Sequence, residues 1–173
     1  CAEALSFSET LKLLRIRGKS MQSAVPKGEG GMIAILGSTP SQIEQILTEN
    51  KNNYECFIAN DNSTGQQVVS GKLNNLDLLM KDLKKNNIKS IKLPVSAPFH
   101  CKLMNNATKI MQNEIQKSDF KNPKNTLISN VTNQEVNDSS LLKDLLIKQI
   151  ESRVRWRENI NLMIEKGTNK FIE

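Results

Sequence analysis

The chain has 173 residues, with 24 Lys and Arg against 18 Asp and Glu, a formal net charge of +6 and a single histidine. That length suffices for a core without disulfide or metal staples, and no run approaches the ~20 apolar residues of a membrane span or the pattern of a signal peptide. Three cysteines (Cys1, Cys56 and Cys101) lack metal-ligand spacing, which points to reduced thiols, a cytoplasmic location and no metal site.

The first predicted element is a helix. Ser6 followed by Glu9 matches a capping box. Leu13, Leu14, Arg17 and Met21 share one face, and Lys12, Arg15 and Lys19 share the polar one. Ala24 to Gly31 is a loop broken by Pro26 and three glycines. Met32 to Leu36 reads as a strand, and Pro40 to Glu49 as a helix capped by Thr39. Tyr54 to Asn60 and Gln67 to Ser70 read as a hairpin, with Asp61 to Gly65 as its turn. Leu73 to Asn86 is a helix with Leu76, Leu79, Met80 and Leu83 on one face. Ile88 to Val95 closes the unit as a strand. The order β-α-β-β-α-β predicts a ferredoxin-like split unit over residues 31–95.

A helix to about Lys117 follows, with Leu103, Met104, Ala107, Ile110, Met111 and Ile115 as its apolar stripe. Thr126 to Val131 reads as a strand and Ser139 to Ile150 as a helix capped by Asp138 or Ser139. Trp156 to Lys166 reads as a helix closed by Gly167, and Asn169 to Ile172 as the start of a last strand. Residues 1–30 and 96–173 look like part of an α/β layer whose other strands are missing. The chain starts at Cys1 without a methionine and stops at Glu173 in a strand-like run, so a piece of something longer is expected.

Four places could carry chemistry. His100 ends the segment Pro94-Val95-Ser96-Ala97-Pro98-Phe99-His100, at a strand-to-helix corner. Its imidazole suits proton transfer near neutrality, and the positive end of the following helix is expected to keep it neutral. Arg17 lies within an apolar stripe, so its guanidinium needs an anionic partner, either an internal carboxylate or a substrate. Gln149 shares the face of Leu142, Leu145 and Leu146 and points inward, to tie the helix down or to orient a catalytic group. Asn60, Asn62, Gly65 and Gln66 form a polar turn that could border a cleft. No Gly-x-Ser-x-Gly elbow occurs. Cys101 is adjacent to His100, so the two side chains point apart, and Ser96 lies in strand-like sequence.

Several segments together resemble the malonyl-CoA:acyl-carrier-protein transacylases. They are Arg17 to Gln22, Ala24-Val25-Pro26, Gly28-Glu29-Gly30, Ala59 to Gln66, Leu93 to His100, Leu103-Met104, Ser129-Asn130-Val131, Gln149 and Val154-Arg155-Trp156. The resemblance implies an α/β-hydrolase-like large subdomain with an inserted ferredoxin-like one. It implies malonyl transfer from malonyl-CoA to the phosphopantetheine thiol of acyl carrier protein, through a malonyl-serine ester. It makes His100 the base, Arg17 the partner of the malonyl carboxylate, and Gln149 the residue whose carbonyl orients the histidine. Phe99 would exclude branched acyl groups, and Asn62 and Gln66 would join the substrate site. No cofactor is implied, and the parent enzyme is expected to be a monomer. The family's serine elbow has no counterpart here, so this chain alone is expected to be inactive. Two rivals are a basic ferredoxin-like binding module and an acyltransferase domain of a larger synthase. The RNP1 pattern is absent and only Tyr54 and Phe57 could stack on bases, so no nucleic-acid partner is expected.

Overall fold

The computed structural model describes residues 2–172; Cys1 and Glu173 lie outside the described residues. The chain opens with α1 (Phe7–Gln22), whose N-cap Ser6 accepts a hydrogen bond from the Glu9 amide. Then come β1 (Gly30–Leu36), α2 (Pro40–Glu49), β2 (Cys56–Ser63), β3 (Gln66–Lys72), α3 (Leu73–Lys85) and β4 (Lys89–Lys92). A 3-10 turn at Lys102–Met104 leads into α4 (Asn105–Lys117). A short hairpin of β5 (Leu127–Ile128) and β6 (Glu135–Val136) precedes α5 (Ser139–Lys148) and α6 (Trp156–Glu165).

The four-stranded sheet runs β2-β3-β1-β4, with every neighbouring pair antiparallel. That is the ferredoxin-like order, reached by two βαβ crossovers around one hairpin. Strand alternation sends Ile33, Ile35 and Val69 to one face, where Ile43, Leu76, Leu79 and Leu83 from α2 and α3 cover them. Met32, Ala59 and Val68 occupy the other face, against Leu93 and Phe99. A second core joins α1, α4 and α5 through Met21, Ala107, Met111, Ile115, Leu142, Leu145 and Ile150. Phe99 packs against both this core and the outer face of the sheet. A Cβ on Gly30 would overlap the Pro98 ring, so glycine lets the Pro94–Phe99 segment lie directly on β1.

Five expectations change, and one open choice is decided. The hairpin turn is shorter, because Asp61, Asn62 and Ser63 extend β2 and leave Thr64-Gly65 as the loop. The cause is tertiary: the Asp61 amide donates to the Val154 carbonyl at 2.9 Å, giving the polar strand end a partner the sequence does not announce. The last strand of the unit stops at Lys92, where Leu93 and Pro94 leave the ladder. Ile110 stays exposed, since only Ala107, Met111 and Ile115 of α4 face the core. The strand expected at 126–131 shrinks to Leu127–Ile128 paired with β6. None forms at 169–172, where no described residue pairs with the chain. Asp138, not Ser139, caps α5, accepting from the Leu141 amide at 2.7 Å.

Candidate active site

α5 ends one residue before Gln149, and that places the site. The last carbonyls of a helix have no intrahelical partner. The Gln149 amide still bonds back to Leu145 at 2.9 Å, but its own carbonyl points out of the helix. His100 meets it there, with Nδ1 3.2 Å from that oxygen. The side-chain amide of Gln149 also reaches Nδ1, at 3.3 Å, and its Oε1 accepts from Arg17 Nη2 at 3.0 Å. Three residues from α1, the segment after β4 and the end of α5 thus form one continuous chain of contacts.

His100 holds a left-handed backbone, φ 58°, a conformation that costs a non-glycine residue on the order of 1–3 kcal/mol. The surroundings fix it: the preceding carbonyl of Phe99 accepts from Ser70 at 2.5 Å, and Cys101 Sγ donates to the Pro98 carbonyl. The imidazole is pushed below its usual pKa, chiefly by burial; the Gln149 carbonyl pulls it up and the Arg17 charge pushes it down again. The direction of this shift agrees with the expected neutral ring, but its cause differs from the expected one. α4 starts only at Asn105, beyond the 3-10 turn, so burial and a neighbouring cation replace the helix dipole. Arg17 is half-buried, and burial lowers its pKa as well. Its partner is the Gln149 amide and not a carboxylate, so the guanidinium charge stays unneutralised by these contacts.

Two openings flank this chain. Arg17, Gln149 and Thr10 line a largely apolar cavity of about 150 Å³ with Leu13, Leu14, Met111 and Leu146. His100 lines an open cleft of about 480 Å³ between α2 and β2 on one side and the Glu151–Arg153 segment on the other. Cys56 and Cys101 also line the cleft, but burial pushes their thiols up to about 12 and about 11. Neither is a nucleophile near neutral pH. Ser96 is not free either; Gln22 Nε2 donates to its hydroxyl at 2.5 Å.

Asn62 and Gln66 are not drawn to His100. Gln66 stands four residues along β3 from Ser70, the residue bonded beside His100, a separation of roughly 13 Å in a strand. Its neighbour Gln67 is the buried one, reaching the Ser63 carbonyl at 3.2 Å. Phe99 stands beside His100 as a packing bridge between the two cores.

The contact that sequence reasoning missed lies behind Gln149. Asp61 on β2 is fully buried, and Arg157 of α6 grips its carboxylate at 3.1, 3.1 and 2.7 Å. Between them Val154 pairs in parallel with Asn60, its amide donating to Ala59 at 2.8 Å. The six residues from Gln149 to Val154 are therefore pinned at one end by α5 and at the other by the ferredoxin-like sheet. The one sequence signal was an aspartate continuing a strand-like run.

A half-buried imidazole with a lowered pKa, contacted at Nδ1 and joined through Gln149 to a lone guanidinium, places a proton acceptor beside a cation that can hold an anion. The fold is that of an acyl transferase domain: residues 1–173 match the family of that description, and the chain belongs to that family. Its relatives are more particular. It is 38% identical over 99% of its length to a malonyl CoA-acyl carrier protein transacylase of Bacillus subtilis, and 31% identical over its whole length to one of Salmonella typhimurium. The malonyl CoA-acyl carrier protein transacylase of Coxiella burnetii superposes with a TM-score of 0.92 at 39% identity, over 96% of this chain and 53% of that one. A type II polyketide malonyl-transacylase solved with its acyl carrier protein superposes with a TM-score of 0.92 at 29% identity, over 97% of this chain and 55% of that one. The chain spans about half the length of these relatives, 55% of the Bacillus protein. No helix among the described residues is long and apolar enough to cross a membrane.

Proposed function

We propose that this chain carries the base and the carboxylate clamp of a malonyl-CoA:acyl-carrier-protein transacylase acting in fatty acid synthesis. The observation that supports it is the Arg17–Gln149–His100 chain of contacts at 3.0 and 3.2–3.3 Å. With Nδ1 donating to the Gln149 carbonyl, Nε2 keeps its lone pair and removes the proton from a serine hydroxyl. That serine is supplied from outside these residues, as the family resemblance implies. The alkoxide attacks the thioester carbonyl of malonyl-CoA while Arg17 holds the free carboxylate through its guanidinium fork. CoA leaves as the thiol, taking the proton from His100. The carrier protein's phosphopantetheine thiol then gives its proton to His100 and attacks the ester, and the departing serine oxygen takes that proton back from His100, which restores both residues.

Two features of this chemistry fit the site. The guanidinium is paired with a neutral amide, so a carboxylate can take it without first breaking an ion pair. The net charge of +6 suits CoA phosphates and an acidic carrier protein. Nothing in the chemistry requires a metal or redox cofactor. The buried, unpaired thiols Cys56 and Cys101 fit a cytoplasmic location, and a monomeric parent is part of the same reading. The test is Arg17→Ala in the protein joined to its serine-bearing segment. Malonyl transfer should fall at least tenfold more than acetyl transfer, and equal losses would remove the carboxylate role.

A further inference from the structure

Gln149 offers the same ring nitrogen two opposite partners. Its backbone carbonyl lies 3.2 Å from His100 Nδ1, and its side-chain Nε2 lies 3.3 Å from that atom. A carbonyl only accepts and an amide NH2 only donates. Nδ1 therefore either carries the hydrogen and donates to the carbonyl, or is bare and accepts from the amide. In the first case Nε2 has a free lone pair; in the second it carries the hydrogen and cannot act as a base. The orientation of the amide is not arbitrary. Arg17 sits 3.0 Å from its other end, and a guanidinium has no acceptor, so the atom facing Arg17 is the oxygen and the NH2 group faces His100. Arg17 thus holds Gln149 in the pose that competes for Nδ1.

We propose that Arg17 and the Gln149 side chain form a gate through which a substrate carboxylate switches His100 into its basic tautomer. While Arg17 grips Gln149, the amide donates to Nδ1 and the ring rests in the Nε2–H form. An acyl carboxylate, bound through two charge-assisted hydrogen bonds, outcompetes a single neutral amide oxygen for the guanidinium. Gln149 is then released, Nε2 gives its hydrogen to water in the open cleft while Nδ1 takes one from water, Nδ1–H donates to the backbone carbonyl, and Nε2 becomes the base. The Gln149 side chain is a positioning residue that discriminates between acyl groups: malonyl opens the gate, while acetyl, without a carboxylate, leaves it shut and loses turnover as well as affinity. The gate rests on the reading of Arg17 as the carboxylate clamp.

The single histidine makes the test direct. Long-range proton–nitrogen correlation of the labelled imidazole, recorded at pH 8, distinguishes the two tautomers in the protein. The free protein should show the Nε2–H pattern, saturating malonate should convert it to Nδ1–H, and acetate should leave it unchanged. Gln149→Met removes the amide but keeps the carbonyl, and should show Nδ1–H without ligand. Malonate that binds, seen as saturating shifts, but leaves the tautomer unchanged overturns the gate alone. Malonate that causes no shift at all overturns both clamp and gate. A Gln149→Met spectrum that keeps the Nε2–H pattern overturns the gate independently of any ligand.

Discussion

Replacing Arg157 with alanine should cost far more than its position at a helix surface suggests. Its partner Asp61 has no exposed side-chain area, while Arg157 itself is 30% exposed. Once the guanidinium is gone, the remaining side-chain contact to the carboxylate is Gln67 Nε2 at 3.5 Å, the limit of a hydrogen bond. Stranding one charge of a buried pair typically costs about 3–5 kcal/mol. The open arginine end places this pair at the low end, about 3 kcal/mol. At 2–4 °C per kcal/mol for a domain of this size, the melting temperature should fall by about 6–12 °C. Urea and thermal denaturation monitored by circular dichroism would measure it, with the m-value checked for constancy. Asp61→Leu combined with Arg157→Leu should cost less than either single change, because no charge is then left buried. The exposed pair Lys92–Asp77, with about half of each side chain in solvent, is the comparison: removing Lys92 should cost at most about 1 kcal/mol. An Arg157→Ala loss below about 1 kcal/mol would refute the claim that the two parts of the fold are pinned here.

Two further predictions follow from burial of titratable groups. His100 has a folded pKa below its ordinary value of about 6.5, chiefly because it is buried. Below pH 6.5 the unfolded chain takes up a proton that the folded ring resists, so stability should fall as pH drops from about 6.5 toward the lowered native value. His100→Gln should flatten that part of a urea-midpoint profile, and an unchanged slope would show that His100 does not titrate differently in the two states. The buried thiols of Cys56 and Cys101, raised to about 12 and about 11, should resist a thiol reagent at pH 8 in the native protein and react in urea. A Cys1→Ser background isolates the two, and rapid native labelling of either would contradict the packing described for them.

The sequence by itself determined the ferredoxin-like unit almost in full. Thr39 and Gln42 form the capping box of α2, and the stripe of Leu76, Leu79 and Leu83 buries as its spacing requires. These are local effects: caps, turns and periodicity act within a few residues, so a one-dimensional pattern encodes them. It also singled out His100, a lone imidazole at a strand-to-helix corner, and Arg17 and Gln149, whose chemistry conflicts with their surroundings. A guanidinium on an apolar stripe and an inward amide are legible as demands for partners.

Which partners they find is not legible from local pattern, because Arg17 and Gln149 are 132 residues apart and His100 and Gln149 are 49 apart; only the family resemblance pointed to the Gln149 carbonyl on His100, and nothing pointed to Arg17 on the Gln149 amide. Only the tertiary structure brought them together, and only it shows burial and Arg17, rather than a helix dipole, as what lowers the imidazole's pKa. The same holds for Asp61, which a local reading places in a turn. Its pairing with Arg157, 96 residues away, keeps it in a strand. Local turn chemistry of Asp, Asn, Ser and Gly favoured the turn. A backbone hydrogen bond and a buried ion pair, available only once α6 packs on the edge of the sheet, outweigh it.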